Sequence, residues 1–239
     1  MNIKEITSIG KREENQDSFF SKIFEEEHMA AAAVCDGVGS FKESSLCSQF
    51  ITGSLEKFFE EQKGSFGELS LEELELLFYS KIKEIHNKLL YIAKEQGVSY
   101  GSTLTLFVQI ENTYIVLQVG DSRCYLYQAG SLRQITKDQT LAEKEKAAGI
   151  SDDLDNHKGS VLLQCLGHGQ AEPALYDGIL ENRFSVLLCT DGLINHLSSK
   201  EISKVLKDDK DAVTKLNILS DMSRRAGEED NITAILIEN

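Results

Sequence analysis

Ala30-Ala31-Ala32-Ala33-Val34-Cys35-Asp36-Gly37-Val38-Gly39 decides how the rest of the chain is read. Five small apolar residues run into an aspartate flanked by glycine. That pattern predicts a buried strand delivering one carboxylate to its end, where the chain turns. The same design returns at Val186-Leu187-Leu188-Cys189-Thr190-Asp191-Gly192-Leu193, and more loosely at Tyr114 to Asp121 and at Glu228-Glu229-Asp230-Asn231 before a final strand. Four aspartates thus stand at strand edges beside Gly or Asn. Buried carboxylates repel one another and are costly to desolvate unless something positive neutralises them. These segments hold no matching set of Lys or Arg, so a divalent metal is the expected counter-charge.

Working outward, residues 1 to 9 alternate weakly and predict a first strand ending at Gly10. A polar cluster, Gly10-Lys11-Arg12-Glu13-Glu14-Asn15-Gln16-Asp17, separates it from the second predicted strand, Ala30 to Cys35. From Glu43 to Gln62, Leu46, Phe50, Ile51, Leu55, Phe58 and Phe59 fall at helical spacing. Ser70-Leu71-Glu72-Glu73 is a capping box opening a longer helix that ends at Gly97. Its apolar residues from Leu71 to Ile92 step by three and four and give one face. Four short β-rich segments follow, Ser102 to Ile110, Tyr114 to Val119, Arg123 to Tyr127 and Leu132 to Ile135. They read as a meander of antiparallel hairpins. Thr140 to Ala148 predicts a short helix and Ser151 to Ser160 a polar flap. Val161 to Leu166 and Pro173 to Leu180 read as short strands before the one ending at Asp191. Ser198 caps a helix, Ala212 to Ala226 forms the last one, and Ile232 to Ile237 the last strand. No repeat, linker or shift of composition divides the chain. Tandem helices between groups of strands are not the alternating βαβ of a parallel sheet. They predict one α+β domain of antiparallel sheets covered by helix pairs.

Composition narrows the partners. A length of 239 residues allows one large core, and the net charge of −14 argues against nucleic acid. No apolar run reaches the ~18 residues of a membrane span, and the first residues lack the apolar segment of a signal peptide. Five widely spaced cysteines without a C-x-x-C suggest reduced, buried thiols and a cytoplasmic protein.

Six segments, taken together, resemble the signature set of the type 2C metal-dependent Ser/Thr protein phosphatases. They are Gly10 to Asp17, Asp36-Gly37-Val38-Gly39, Gly101-Ser102-Thr103, Val119 to Arg123, Leu188 to Leu193, and Asp230-Asn231-Ile232-Thr233. They occur in that family's order and span nearly the whole chain, and the Asn15-Gln16-Asp17 form resembles bacterial members. The resemblance implies a four-layer αββα sandwich, two antiparallel sheets between helix pairs, with metals at one end. It implies that 1–239 is a single catalytic domain with a flap region over 141–180. Asp36 would bridge two Mn²⁺ or Mg²⁺ ions and the Gly37 carbonyl would bind one of them. Asp191 and Asp230 would complete the second ion's protein ligands, and Asp121 would join Asp191 at a possible third. Arg12 would hold the substrate phosphate, and Asp17 would stand by the metal-bound waters. Two ions ~3.5–4 Å apart sharing an activated water would then hydrolyse phosphoserine and phosphothreonine directly. The implied partners are phosphorylated proteins and a cognate Ser/Thr kinase; neither nucleic acid nor membrane is expected, and the chain is expected to be a monomer.

Other readings of the same residues stay open. Singly, each Asp-Gly is a turn more often than a ligand. Gly120-Asp121-Ser122 also suits a hairpin turn, Arg12 could pair with Glu13 or Glu14, and Asp17 could cap a helix. Val38 stands where many eukaryotic members carry a histidine thought to protonate the leaving group. Ser40 replaces a usual glycine, and Lys137-Asp138-Gln139-Thr140 has Gln in place of the family's His. A pseudophosphatase that only binds partners, or a metal-dependent hydrolase of small phosphoesters, are the alternative functions.

Overall fold

In the computed structural model, strand β3 (Met29–Cys35) is buried along its whole length. Small apolar residues in an unbroken run are what a strand needs when both its faces are covered. Ala31, Ala33 and Cys35 face a layer of helices, while Ala32 and Val34 face a second sheet. The structure describes residues 1–39, 41, 43–150 and 161–239. The expected flap at 151–160 and the substituted glycine position at Ser40 lie outside the described residues.

Among the described residues, ten strands form two antiparallel sheets of five. One has the order β1 (Asn2–Ser8), β10 (Ile232–Glu238), β9 (Phe184–Cys189), β6 (Arg123–Gln128), β7 (Ser131–Gln134). The other runs β2 (Ser18–Phe24), β3, β4 (Leu104–Ile110), β5 (Thr113–Val119), β8 (Ala174–Ile179). Three apolar layers hold the stack together. Val34, Phe107 and Val116 meet Val186, Leu188 and Ile235 between the sheets. Helices α1 (Ser44–Glu61) and α2 (Leu71–Gln96) cover the second sheet with Phe59, Phe78 and Ile82. The first sheet is covered by α4 (Asp191–Ile194), α5 (Ser199–Lys207) and α6 (Ala212–Arg225) through Leu193, Ile202 and Leu216. A short α3 (Leu141–Ala147) lies between β7 and β8. This is the expected α+β sandwich of four layers. The capping boxes at Ser70 and Ser198 form as the sequence indicates, and Gly97 ends α2 in the left-handed conformation.

Four local expectations are corrected. The expected second strand at Ala30 to Cys35 is the third, and the second is Ser18–Phe24. Its alternation is broken by Ser21 and Lys22, and it gains definition only from pairing with β3. Val161 to Leu166 makes isolated bridges through Leu162, Cys165 and Leu166, not a strand. Leu46 points to solvent, so the apolar stripe of α1 starts at Cys47. The meander is two separate hairpins, since β5 ends in one sheet and β6 begins in the other. The crossing between them is Gly120-Asp121-Ser122. That segment is therefore an inter-sheet step, and the step sets Asp121 at the same pole as Asp36.

Register explains the convergence. Ser18 pairs with Cys35, Leu104 with Val119, Arg123 with Cys189, and Ser8 with Ile232. The ends of β1, β3, β5 and β9 and the starts of β2, β4, β6 and β10 consequently share one edge of the sandwich.

Candidate metal and phosphate site

Each acid is delivered by a chain reversal at that edge. Asp36 leaves β3 with its backbone fixed on both sides. Its N–H donates to Thr103 Oγ1 at 2.9 Å and its carbonyl accepts from Thr103 N–H at 2.8 Å. Gly37 then passes so close to the neighbouring chain that a Cβ there would lie 2.8 Å from the Gln16 carbonyl and 2.9 Å from Ser44. Only glycine fits such an approach. Its N–H donates to Gln16, while its carbonyl takes no hydrogen bond among the described residues. Asp191 opens α4 directly after β9. Gly192 beside it would place a Cβ 2.0 Å from the Asn231 carbonyl, so this turn packs flat against the start of β10. Asp230 ends the turn before β10, and Glu228 Oε1 accepts from its N–H at 2.8 Å.

The loop 10–17 is pinned onto this floor by Asn231. Its Nδ2 donates to the carbonyls of Ile9 and Glu14 at 2.8 and 3.1 Å, and its Oδ1 accepts from Gln16 N–H at 2.8 Å. Arg12 and Asp17 are thereby placed beside the other acids. Arg12 Nη2 donates to Asp230 Oδ2 at 2.6 Å and lies in the field of Asp36 and Asp191. The alternative pairing of Arg12 with Glu13 or Glu14 is not formed. Asp17 caps no helix: β2 follows it directly, and its Oδ2 accepts from Thr190 Oγ1 at 2.9 Å. Its Oδ1 is sealed from solvent and has no partner.

The structure thus brings Asp17, Asp36, Asp121, Asp191 and Asp230 into one electrostatic cluster, with Arg12 at its side. Burial raises the Asp36 carboxyl well above its ordinary range, and Asp17, Asp191, Asp121 and Asp230 raise it further. Asp17 and Asp121 are each pushed up to about 7, first by burial and then by neighbouring acids, Asp191 being common to both. Asp191 is raised by burial and by Asp230, and held back by its hydrogen bond with Asp36. Asp36, Asp121 and Asp191 keep part of their surface open at the cleft floor, which tempers the shifts. The common direction is the signature of acids gathered without enough positive charge.

Among the described residues, no three Asp, Glu, His or Cys side chains close into a ready-made metal cage. Carboxylates with room for water are nonetheless the ligand set of Mg²⁺ and Mn²⁺, which retain several waters and take few protein ligands. The orphaned Asp17 Oδ1 and the shared upward shifts meet that requirement. These residues fit divalent cations.

Several supporting residues carry no motif signal of their own. Thr190, buried, bonds Asp17, and Thr103 exchanges a 2.7 Å hydrogen bond with Ser122. Gln139, the residue in place of the family's His, accepts from Gly120 N–H at 2.7 Å and so holds the Asp121 crossing. Asp138 beside it takes a forked ion pair from Arg123, closest at 2.6 Å. All of them lie inside the quoted motifs or beside them, where sequence alone distinguishes no role.

The sequence model for protein phosphatase 2C matches residues 7–236. The chain belongs to the protein phosphatase 2C family. Its relatives include the serine/threonine phosphatase stp of Listeria monocytogenes, 29% identical over 234 residues that cover 95% of this chain and 91% of that one. Among solved structures, Stp1 from Staphylococcus aureus matches with a TM-score of 0.89 at 23% identity, covering 99% of this chain and 94% of that one. The catalytic domain of the phosphatase PstP, solved with two manganese ions, matches at 24% identity with a TM-score of 0.81, covering 98% and 96%.

Proposed function

We propose that this family member is a metal-dependent protein phosphatase that hydrolyses phosphoserine and phosphothreonine in proteins. The observation that supports it is the gathering of Asp17, Asp36, Asp121, Asp191 and Asp230, one Asp17 oxygen unpartnered, with the Arg12 guanidinium beside them. In this reading Asp36, the Gly37 carbonyl, Asp191 and Asp230 hold Mn²⁺ or Mg²⁺, and Asp121 with Asp191 holds a further ion. Such ions, when bound, supply an activated water and neutralise charge on the phosphoryl oxygens. The chain's own residues do the positioning. Thr103 fixes the Asp36 backbone, and Gly37 offers a free carbonyl. Arg12, moving its guanidinium fork from Asp230 to the phosphate, binds and orients the substrate. Asp17, held by Thr190 beside the other acids, would stand by the water that the ions activate. Val38 supplies no imidazole, so leaving-group protonation falls to Asp17, to a water, or to a group beyond the described residues.

The whole chain, 1–239, reads as one catalytic domain, supported by the match over 7–236; of the expected flap region 141–180, residues 174–179 are instead strand β8 of the second sheet. The substrates are phosphoproteins, and a Ser/Thr kinase is the implied opponent of a monomeric enzyme. Five free, buried cysteines favour a reducing, cytoplasmic setting. Among the described residues no helix is long and apolar enough to cross a membrane. The test is phosphate release from phosphothreonine and phosphoserine peptides with Mn²⁺, with and without chelator, against nucleotide monophosphates under the same conditions. Chelator-sensitive turnover of peptides well above nucleotides supports the reading. Turnover of nucleotides alone, or of nothing, removes it.

A further inference from the structure

The last turn of α6 carries two adjacent arginines, Arg224 and Arg225, just ahead of the turn that bears Asp230. Cations at this end of a helix are favoured by its dipole, which would account for either of them. Their surroundings differ. Arg225 is exposed, whereas Arg224 is half-buried behind the acids. Arg224 Nη1 donates to the Asp230 carbonyl at 2.8 Å and to the Glu228 carbonyl at 3.3 Å, and Nη2 donates to Ser8 Oγ at 3.1 Å. One guanidinium thus joins α6, the turn before β10 and the end of β1.

The loop that carries Arg12 begins directly over this junction. A Cβ at Gly10 would collide with the Asp230 carbonyl oxygen and lie 2.5 Å from Arg224 Nη1, and Gly10 itself is left-handed with φ +65°. Only glycine fits there. The neighbouring Ser223 Oγ donates at 2.9 Å to the carbonyl of Gly192, the residue after Asp191. The end of α6 therefore backs two of the acid-bearing turns. The Asp230 carboxylate has other partners, Oδ1 accepting from Asn231 N–H at 2.8 Å and Oδ2 from Arg12. Arg12 competes with a cation for that carboxylate. Arg224 does not, because it holds the backbone alone.

We propose that Arg224 is a positioning residue that sets Asp230, and the start of the Arg12 loop, for divalent metal binding. The inference rests on Asp230 being a metal ligand, as in the function proposed above. A guanidinium offers its donors in a fixed planar fork and reaches the turn and Ser8 together, whereas an ammonium is a single point on a flexible stem. Without the fork the turn loses the bonds that fix its carbonyls, and its carboxylate has more freedom to give up when an ion binds. Charge alone predicts the reverse. Arg224 is a cation beside the acids, so its removal would by Coulomb's law tighten the binding of Mn²⁺. The sign of the change separates positioning from charge.

The test is Mn²⁺ calorimetry on the natural chain, Arg224→Ala, Arg224→Lys and Arg225→Ala, with circular dichroism to confirm folding. The natural chain is expected to bind at least two ions. Arg224→Ala is expected to weaken one of them by about tenfold or more. Arg224→Lys keeps the charge and gives up the fork, and should fall between Arg224→Ala and the natural chain. Arg225→Ala makes the same change of charge on the exposed neighbour and should weaken neither ion. The proposal is overturned if Arg224→Ala binds Mn²⁺ as tightly as the natural chain or more tightly, even where its urea stability falls, since Arg224 would then only support the fold. If Arg224→Ala does not fold, Arg224→Lys decides, and natural affinity in that variant overturns the proposal. A natural chain that binds no Mn²⁺ removes the metal reading as well, whereas a natural chain that binds its ions no better than the Arg224 variants removes this inference alone.

Discussion

Replacing Asp17 by Asn tests whether the acid cluster is held together against its own charge. Asp17 is almost wholly buried, one oxygen bonded to Thr190 and the other without a partner. Its carboxyl sits at about 7 in the fold, chiefly from burial, against about 3.9 in an unfolded chain. Between those two values the folded metal-free chain holds a proton that the unfolded chain has released. Stability is therefore greatest below about pH 4 as far as this group is concerned, and is lost as pH rises toward about 7, at about 1.4 kcal/mol per pH unit. Over the whole window Asp17 alone accounts for about 4 kcal/mol at most, since it titrates together with its neighbours. Asp121, Asp36 and Asp191 are raised as well and act in the same direction. The metal-free chain should thus become less stable to urea as pH rises from about 5 to about 8, in the presence of chelator. Asp17→Asn keeps an acceptor for Thr190 and removes the charge, so it should be the more stable form near pH 8 and show a flatter slope. If the natural chain gains stability with rising pH over that range, or Asp17→Asn leaves the slope unchanged, the cluster is not under the strain described.

Asp36→Asn should lower turnover of a phosphothreonine peptide by at least about 10³-fold while circular dichroism stays unchanged, because it removes the acid at the centre of the cluster. Arg12→Ala should raise KM about tenfold or more for phosphopeptides. Because Arg12 bonds Asp230 at 2.6 Å, the same change should also tighten Mn²⁺ binding in calorimetry, and an unaltered metal isotherm would show that this pair does not compete with metal. The further ion at Asp121 is the natural holder of a water that protonates the leaving group, so Asp121→Ala should harm phosphopeptide hydrolysis more than that of p-nitrophenyl phosphate, whose leaving group needs no proton; equal losses would count against that water. Gly192→Ala would drive a Cβ to 2.0 Å from the Asn231 carbonyl and should cost about 1–3 kcal/mol in urea unfolding, with no effect as the contradicting result.

Most of the sandwich was legible because its strongest signals are local. The capping boxes at Ser70 and Ser198, the spacing along α2 and the apolar run into Asp36 each depend on a few neighbouring residues. What sequence could not supply were properties of pairing. Strand β2 has a polar interruption and is defined by its register with β3, and the step at Gly120-Asp121-Ser122 looks the same whether it closes a hairpin or changes sheets. The acids at the site were visible through their Asp-Gly and Asp-Asn settings. The residues that hold them, Thr103, Gln139, Thr190 and Asn231, were not, since a buried hydroxyl or amide takes its role from partners more than 15 positions away along the chain. Arg12 lies beside the acids, and its bond to Asp230 is a feature of the folded loop alone.

Metal stoichiometry tests, without recourse to catalysis, whether Asp36, Asp121, Asp191 and Asp230 form a divalent metal site. Equilibrium dialysis against Mn²⁺, with the bound metal counted by mass spectrometry, should give at least two ions per natural chain. Asp36→Asn, confirmed as folded, should no longer hold a pair of ions at the same free Mn²⁺. Stoichiometric binding unchanged by Asp36→Asn, or no Mn²⁺ bound by the natural chain, would contradict the account.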